Sequence, residues 1–158
     1  MSAHRYTFTG IDGQTLGLRE FGGKAVLVVN TASECGFTPQ YAELEQLWER
    51  YRDAGLVVLG VPSNDFGAQE PAAEAEIKKF CSERYGVSFP LTAKQSVIGG
   101  DAHPLYQWIA DELGEDAAPK WNFHKYLLDK RGALVGVWPS AVSPLDEAII
   151  ESIRDVLD

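Results

Sequence analysis

Apolar and polar positions change their spacing several times along the chain, and each change marks an element. Tyr6–Thr9 and Thr15–Arg19 flank Asp12-Gly13, a two-residue turn signal that predicts an N-terminal β-hairpin. Ala25–Asn30 follows as a continuous apolar run, the pattern of a strand covered on both faces. Thr38-Pro39 combines an N-cap with a favoured first helical residue. The helix it opens sets Tyr41, Leu44, Leu47, Trp48 and Tyr51 on one face and stops at Gly55. Leu56–Val61 reads as a second apolar strand. From Pro71 a further helix carries Ile77, Phe80, Cys81 and Arg84 along one side, with Gly86 as its stop. Pro104–Leu113 predicts a third helix with Leu105, Trp108 and Ile109 turned inward. Lys125–Leu128 and Ala133–Val137 flank Lys130-Arg131-Gly132 and predict an antiparallel hairpin. Leu145, Ile149, Ile153 and Val156 then mark the last helix.

The order is hairpin, β, α, β, α, α, β, β, α. Strands alternating with helices and closing in a hairpin predict an α/β layered fold: a central mixed β-sheet flanked by helices. The order resembles the thioredoxin-like pattern, which by itself names no function. With no repeat, linker or low-complexity tract in 158 residues, the expectation is one domain over residues 1–158.

Composition narrows the function classes. A hydrophobic content of 45% with 23% charged residues is ordinary for a globular protein. The formal net charge of −9 disfavours nucleic acid, which needs clustered Lys and Arg, and anionic lipid alike. The longest apolar runs, Ala25–Val29 and Leu56–Val61, are too short to span a bilayer, so no stable membrane insertion is expected. Met1–Gly10 lacks the apolar core of a secretory signal, and the expected location is cytoplasmic. His4, His103 and His124 show no metal-ligand spacing, and two cysteines are too few for a Cys-rich zinc site. No metal and no cofactor are expected.

The two cysteines are Cys35 and Cys81. Cys35 lies just beyond the first buried strand and just before a helix start, where free N–H groups and the macrodipole favour a negative charge. A thiol placed there is favoured as the nucleophilic thiolate. The other reading is a small buried cysteine that packs like Ala, and position alone leaves both open.

Three segments bear on that choice. They are Asn30-Thr31-Ala32-Ser33-Glu34-Cys35-Gly36-Phe37-Thr38, then Pro62-Ser63-Asn64-Asp65-Phe66 running into Gly67-Ala68-Gln69-Glu70-Pro71, then Trp121-Asn122-Phe123-His124-Lys125. In this order they resemble the signature blocks of the glutathione peroxidase family. The resemblance runs on through Glu76–Cys81 and Ala102–Tyr106 and covers nearly the whole chain. It implies a thioredoxin-like peroxidase in which Cys35 is the peroxidatic residue and Gln69, Trp121 and Asn122 complete a catalytic tetrad. Side-chain amides and an indole N–H suit that role, because they donate to developing charge without themselves ionising. Taken singly, Gln69 reads as a helix cap, Asn122 as a turn residue and Trp121 as a core aromatic.

The resemblance also bears on recycling. A sulfenic acid on Cys35 has to be reduced, and in the thioredoxin-dependent branch a cysteine on the second helix resolves it as a disulfide. Cys81 occupies that region, which implies thioredoxin as reductant. Cys81 also shares an apolar helix face with Ile77 and Phe80, the place of a plain core residue. A disulfide needs Cα atoms within about 7 Å, so this helix would have to unwind. The short link from Trp108 to Trp121 leaves no room for the family's tetramer-building insertion, and no basic cluster awaits glutathione carboxylates. A monomer open to a protein reductant or a lipid hydroperoxide is the expectation, with a one-cysteine, glutathione-dependent cycle as the alternative.

Two departures stand out. Ser63 occupies the place of a cysteine common in the family, and Asp65 that of a neutral amide. A carboxylate aimed at Cys35 from Asp65, or from Glu34, would disfavour the thiolate. Rival readings are a disulfide reductase, which lacks its second thiol because Thr38 stands there, a redox relay acting through Cys35, and a silent binding domain.

Overall fold

β1 (Thr7–Thr9) pairs antiparallel with β2 (Thr15–Gly17) in the expected N-terminal hairpin. The second strand ends earlier than its sequence suggests, because Leu18–Phe21 forms a 3-10 turn that buries Leu18. The computed structural model describes residues 2–158.

The main sheet holds four strands: β3 (Ala25–Thr31), β4 (Leu56–Pro62), β5 (Lys125–Leu128) and β6 (Leu134–Trp138), in the order β4-β3-β5-β6. β3 runs parallel to β4 and antiparallel to β5, and β5 runs antiparallel to β6. The apolar runs are explained by burial of both faces of β3, β4 and β5.

Because side chains alternate across a strand, the sheet divides the core into two layers. Leu27, Val29, Val58 and Leu127 face one way, onto Tyr41, Leu44 and Leu47 of α1 (Gln40–Tyr51), Ile77 and Cys81 of α2 (Glu74–Tyr85), and Ile149 and Ile153 of the C-terminal helix. Val26, Val28, Leu59 and Tyr126 face the other way, onto Leu105, Trp108 and Ile109 of α3 (Pro104–Leu113) and onto Phe8 and Leu18. The C-terminal helix, α4, spans Glu147–Leu157 and is capped by the Asp146 carboxylate, which accepts from the Ala148 N–H.

Two helix starts differ from expectation. α1 begins at Gln40, and Thr38 caps nothing: its hydroxyl accepts from Cys35 N–H at 2.9 Å and donates to the Ala32 carbonyl at 2.8 Å. α2 begins at Glu74 rather than at Pro71, and the residue before Pro71 is tied into the loop after β4, the Glu70 N–H donating to Asn64 Oδ1 at 2.9 Å. The stops are as read. Gly86 takes a left-handed conformation at the end of α2, with its N–H on the Ser82 carbonyl and that of Val87 on the Cys81 carbonyl.

Candidate active site

The register places three loops at one end of the sheet. Thr31 stands beside Pro62 where the parallel strands β3 and β4 finish, and antiparallel β5 begins at Lys125, opposite Val29. The segment after β3, the segment after β4 and the segment before β5 therefore meet there. These are the three blocks singled out in the sequence.

Cys35 sits in the first loop and is 8% exposed. The Thr38 bridge closes the turn around it, and the Phe37 N–H donates to Cys35 Sγ at 3.3 Å. The Asp65 carboxylate is engaged away from Cys35, and that of Glu34 is in solvent. Asp65 Oδ2 accepts from the N–H groups of Val97 and Ile98 and from the Ser96 hydroxyl, and Glu34 is exposed.

The second loop is fastened to the first at two points. Glu34 N–H donates to the Gln69 carbonyl at 3.0 Å. Glu70 is wholly buried, and its carboxylate accepts from both the N–H and the hydroxyl of Ser33 at 2.9 Å. Burial raises the Glu70 carboxyl above its ordinary range, while the Ser33 donors pull the other way. The loop turns through consecutive left-handed residues, Gly67 at φ +67° and Ala68 at φ +50°. A Cβ on Gly67 would stand 3.1 Å from Cη2 of Trp121, so the indole lies directly against this turn. Phe66 flanks the same indole, with ring centroids 5.8 Å apart.

The third loop supplies Trp121 and Asn122. Asn122 is buried, and its Nδ2 donates to Gln69 Oε1 at 2.9 Å. Asn30, near the end of β3, holds the main chain of this loop. Its Nδ2 donates to the Trp121 carbonyl, its Oδ1 accepts from His124 N–H, and its own carbonyl accepts from Phe123 N–H at 2.6 Å.

Cys35, Gln69, Trp121 and Asn122 are thus on three mutually bonded loops. Cys81 is not part of that network. It lies inside α2, fully buried in the same apolar cluster as Cys35, and both thiols are free. Burial pushes the Cys81 thiol up to about 11, against a smaller lowering by the Tyr41 hydroxyl.

Sequence reasoning assigned no role to Glu70, Asn30 or Lys125, which do much of the holding. One signal was available for Asn30 and Lys125: each is a polar residue beside an apolar run, and such residues are buried only with partners. Among the described residues, no group of three or more His, Cys, Asp or Glu is placed to hold a metal ion, and no helix is long and apolar enough to cross a membrane.

A glutathione peroxidase family model matches residues 3–110. The chain is 46% identical over 147 residues to the hydroperoxy fatty acid reductase gpx1 of Synechocystis, an alignment covering 88% of this chain and 87% of that protein. It is 44% identical to the glutathione peroxidase-like peroxiredoxin HYR1 of Saccharomyces cerevisiae, over 91% of each chain. Among solved structures, the apo form of Trgpx superposes with a TM-score of 0.79 at 35% identity, covering 99% of this chain and 96% of that one.

Proposed function

The chain belongs to the glutathione peroxidase family, and we propose that it reduces hydroperoxides to water and alcohols with Cys35 as the attacking thiol. The observation that carries this reading is that the two loops of Gln69 and Asn122 are joined by the Asn122–Gln69 bond and tied to the cysteine's own loop through the Glu34 N–H. In the reaction the Cys35 thiolate attacks the terminal oxygen of ROOH. An S–O bond forms, the O–O bond breaks, sulfur is oxidised by two electrons, and RO⁻ leaves with a proton as ROH. The free N–H bonds of Gln69, Trp121 and Asn122 donate to the oxygen on which charge develops. Kinship with a hydroperoxy fatty acid reductase supports organic and lipid hydroperoxides as substrates beside hydrogen peroxide.

For recycling, we infer a two-cysteine route. The Cys81 thiol attacks the Cys35 sulfenic sulfur, water leaves, and a dithiol protein of the thioredoxin class reduces the disulfide. Supporting it are the presence of both sulfurs in one cluster and the peroxiredoxin-like naming of the yeast relative. The burial of Cys81 favours a second reading, in which α2 stays closed and an external thiol such as glutathione reduces Cys35 directly.

One measurement separates these. Reduced protein takes one equivalent of hydrogen peroxide, and intact mass is read for wild type and for Cys81→Ser. The two-cysteine route gives loss of two hydrogens in wild type and added oxygen in the variant. Added oxygen in wild type overturns the role of Cys81; an unchanged wild-type mass overturns the peroxidase reading itself.

A further inference from the structure

Lys125 opens β5 and is 0% exposed, a state lysine almost never reaches without dedicated partners. Its Nζ donates to the Phe123 carbonyl at 2.7 Å and to the Ser140 carbonyl at 3.1 Å. The Ser140 carbonyl also takes the Gln40 side-chain N–H at 2.8 Å, and Gln40 is the first residue of α1, the helix that follows Cys35. Burial lowers the ammonium to about 7, with the Glu43 carboxylate opposing the shift. A methionine or leucine would fill the same space without that desolvation cost. Packing therefore does not account for a lysine here.

The turn beside it does. Phe123 has φ +66°, a left-handed conformation that is strained for a bulky residue and persists only when its surroundings enforce it. Asn30 grips Trp121, Phe123 and His124 from the β3 side, but it leaves the Phe123 carbonyl to Lys125. That carbonyl belongs to the residue after Asn122, in the same turn that carries the Asn122 amide towards Gln69.

We infer that Lys125 is a positioning residue for peroxide reduction, its ammonium holding the Phe123 carbonyl and so fixing the turn that aims the Trp121 indole and the Asn122 amide. The inference rests on the reading of Trp121 and Asn122 as donors to the departing oxygen. Lys125 itself touches neither sulfur nor substrate. With the ammonium gone, the Phe123 carbonyl loses its buried partner, the turn relaxes, and the 2.9 Å bond from Asn122 to Gln69 goes with it. The Phe37 N–H on Cys35 Sγ belongs to another loop and stays.

Two reactions of the reduced protein therefore separate positioning from general damage. Iodoacetamide reports the Cys35 thiolate alone; hydrogen peroxide needs the donors as well. Rates of both are measured for wild type, Lys125→Met, Lys125→Gln and Asn122→Ala, with the Trp121 indole and Asn122 amide signals followed by NMR. Lys125→Met loses about tenfold to a hundredfold in the peroxide rate, keeps its alkylation rate within about twofold, and shifts both signals. Lys125→Gln, whose amide restores one donor, falls between Met and wild type. Should the Met variant fail to fold, the ratio of the two rates in the Gln variant decides alone. A wild-type ratio in the folded variants, or an equal fall in both rates, overturns the proposal. A wild-type peroxide rate in Asn122→Ala instead overturns the donor reading beneath it.

Discussion

The Asn122 side-chain amide donates to the Gln69 side-chain carbonyl across 2.9 Å, joining loops 53 residues apart. This bond uses the acceptor end of Gln69 and leaves its N–H2 group as the end that can meet a substrate oxygen. The two amides are therefore one device. Gln69→Ala and Asn122→Ala should each slow the attack of Cys35 on hydrogen peroxide, and the double variant should lose less than the two losses combined. A coupling energy of about 1 kcal/mol or more is expected from residues in direct contact. Stopped-flow rates for the four proteins test it, and strictly additive losses would dissolve the pairing.

Gly67 faces two constraints at once. Its φ of +67° disfavours any side chain, and a Cβ there would press on the Trp121 ring at 3.1 Å. Gly67→Ala should cost about 1 kcal/mol of stability from the backbone and slow peroxide attack by moving the indole. Gly13→Ala is the control: φ is +89°, yet nothing lies within 4 Å. It should lower the Tm similarly and leave the rate alone.

The contrast between the thiols predicts selective labelling. Cys35 is 8% exposed, whereas Cys81 is 0% exposed and its thiol is pushed up to about 11. Native reduced protein at pH 7.5 should take up one equivalent of iodoacetamide, at Cys35, and a second only in denaturant. Peptide mass mapping reads the site. Prompt native labelling of Cys81 would show that α2 opens freely before any oxidation.

His124 makes acid stability distinctive. Burial, then the charges of Lys125 and Lys120, lower it to about 4 from an ordinary 6.5. The unfolded chain then binds the extra proton between those values, so stability is complete above pH 6.5 and declines as pH falls towards 4. Up to about 3 kcal/mol is at stake. His124→Phe, which keeps a ring to stack on Tyr126 at 5.0 Å, should flatten the fall in Tm between pH 6.5 and 4.5. An unchanged slope would assign the acid sensitivity to other groups.

Much of this was legible in the residues. Strands and helices followed from period and length, because apolar runs must be buried and each side chain reports its own face. Gly55 and Gly86 marked helix ends, since both need positive φ. What sequence could not supply was the partner of a buried polar side chain. Thr38 had the local signature of a cap, and the hydroxyl went to the Cys35 turn instead. Asn30 acts on groups more than ninety residues away that strand pairing brings to it, for which no local spacing exists, and Lys125 finds its nearer partners only once its strand is buried. The helix start at Glu74 rather than Pro71 has the same origin, in Glu70 and its bond to Asn64.

The Asn30–His124 bond spans 94 residues of chain. During synthesis at about 5–20 residues per second, a stretch of that length separates the emergence of its two ends by on the order of five to twenty seconds. Through that interval the nascent thiol lacks the third of its loops, the one that carries Trp121 and Asn122. Reactivity towards peroxide is thus acquired late, when β5 docks beside β3, and it doubles as a readout that folding has finished.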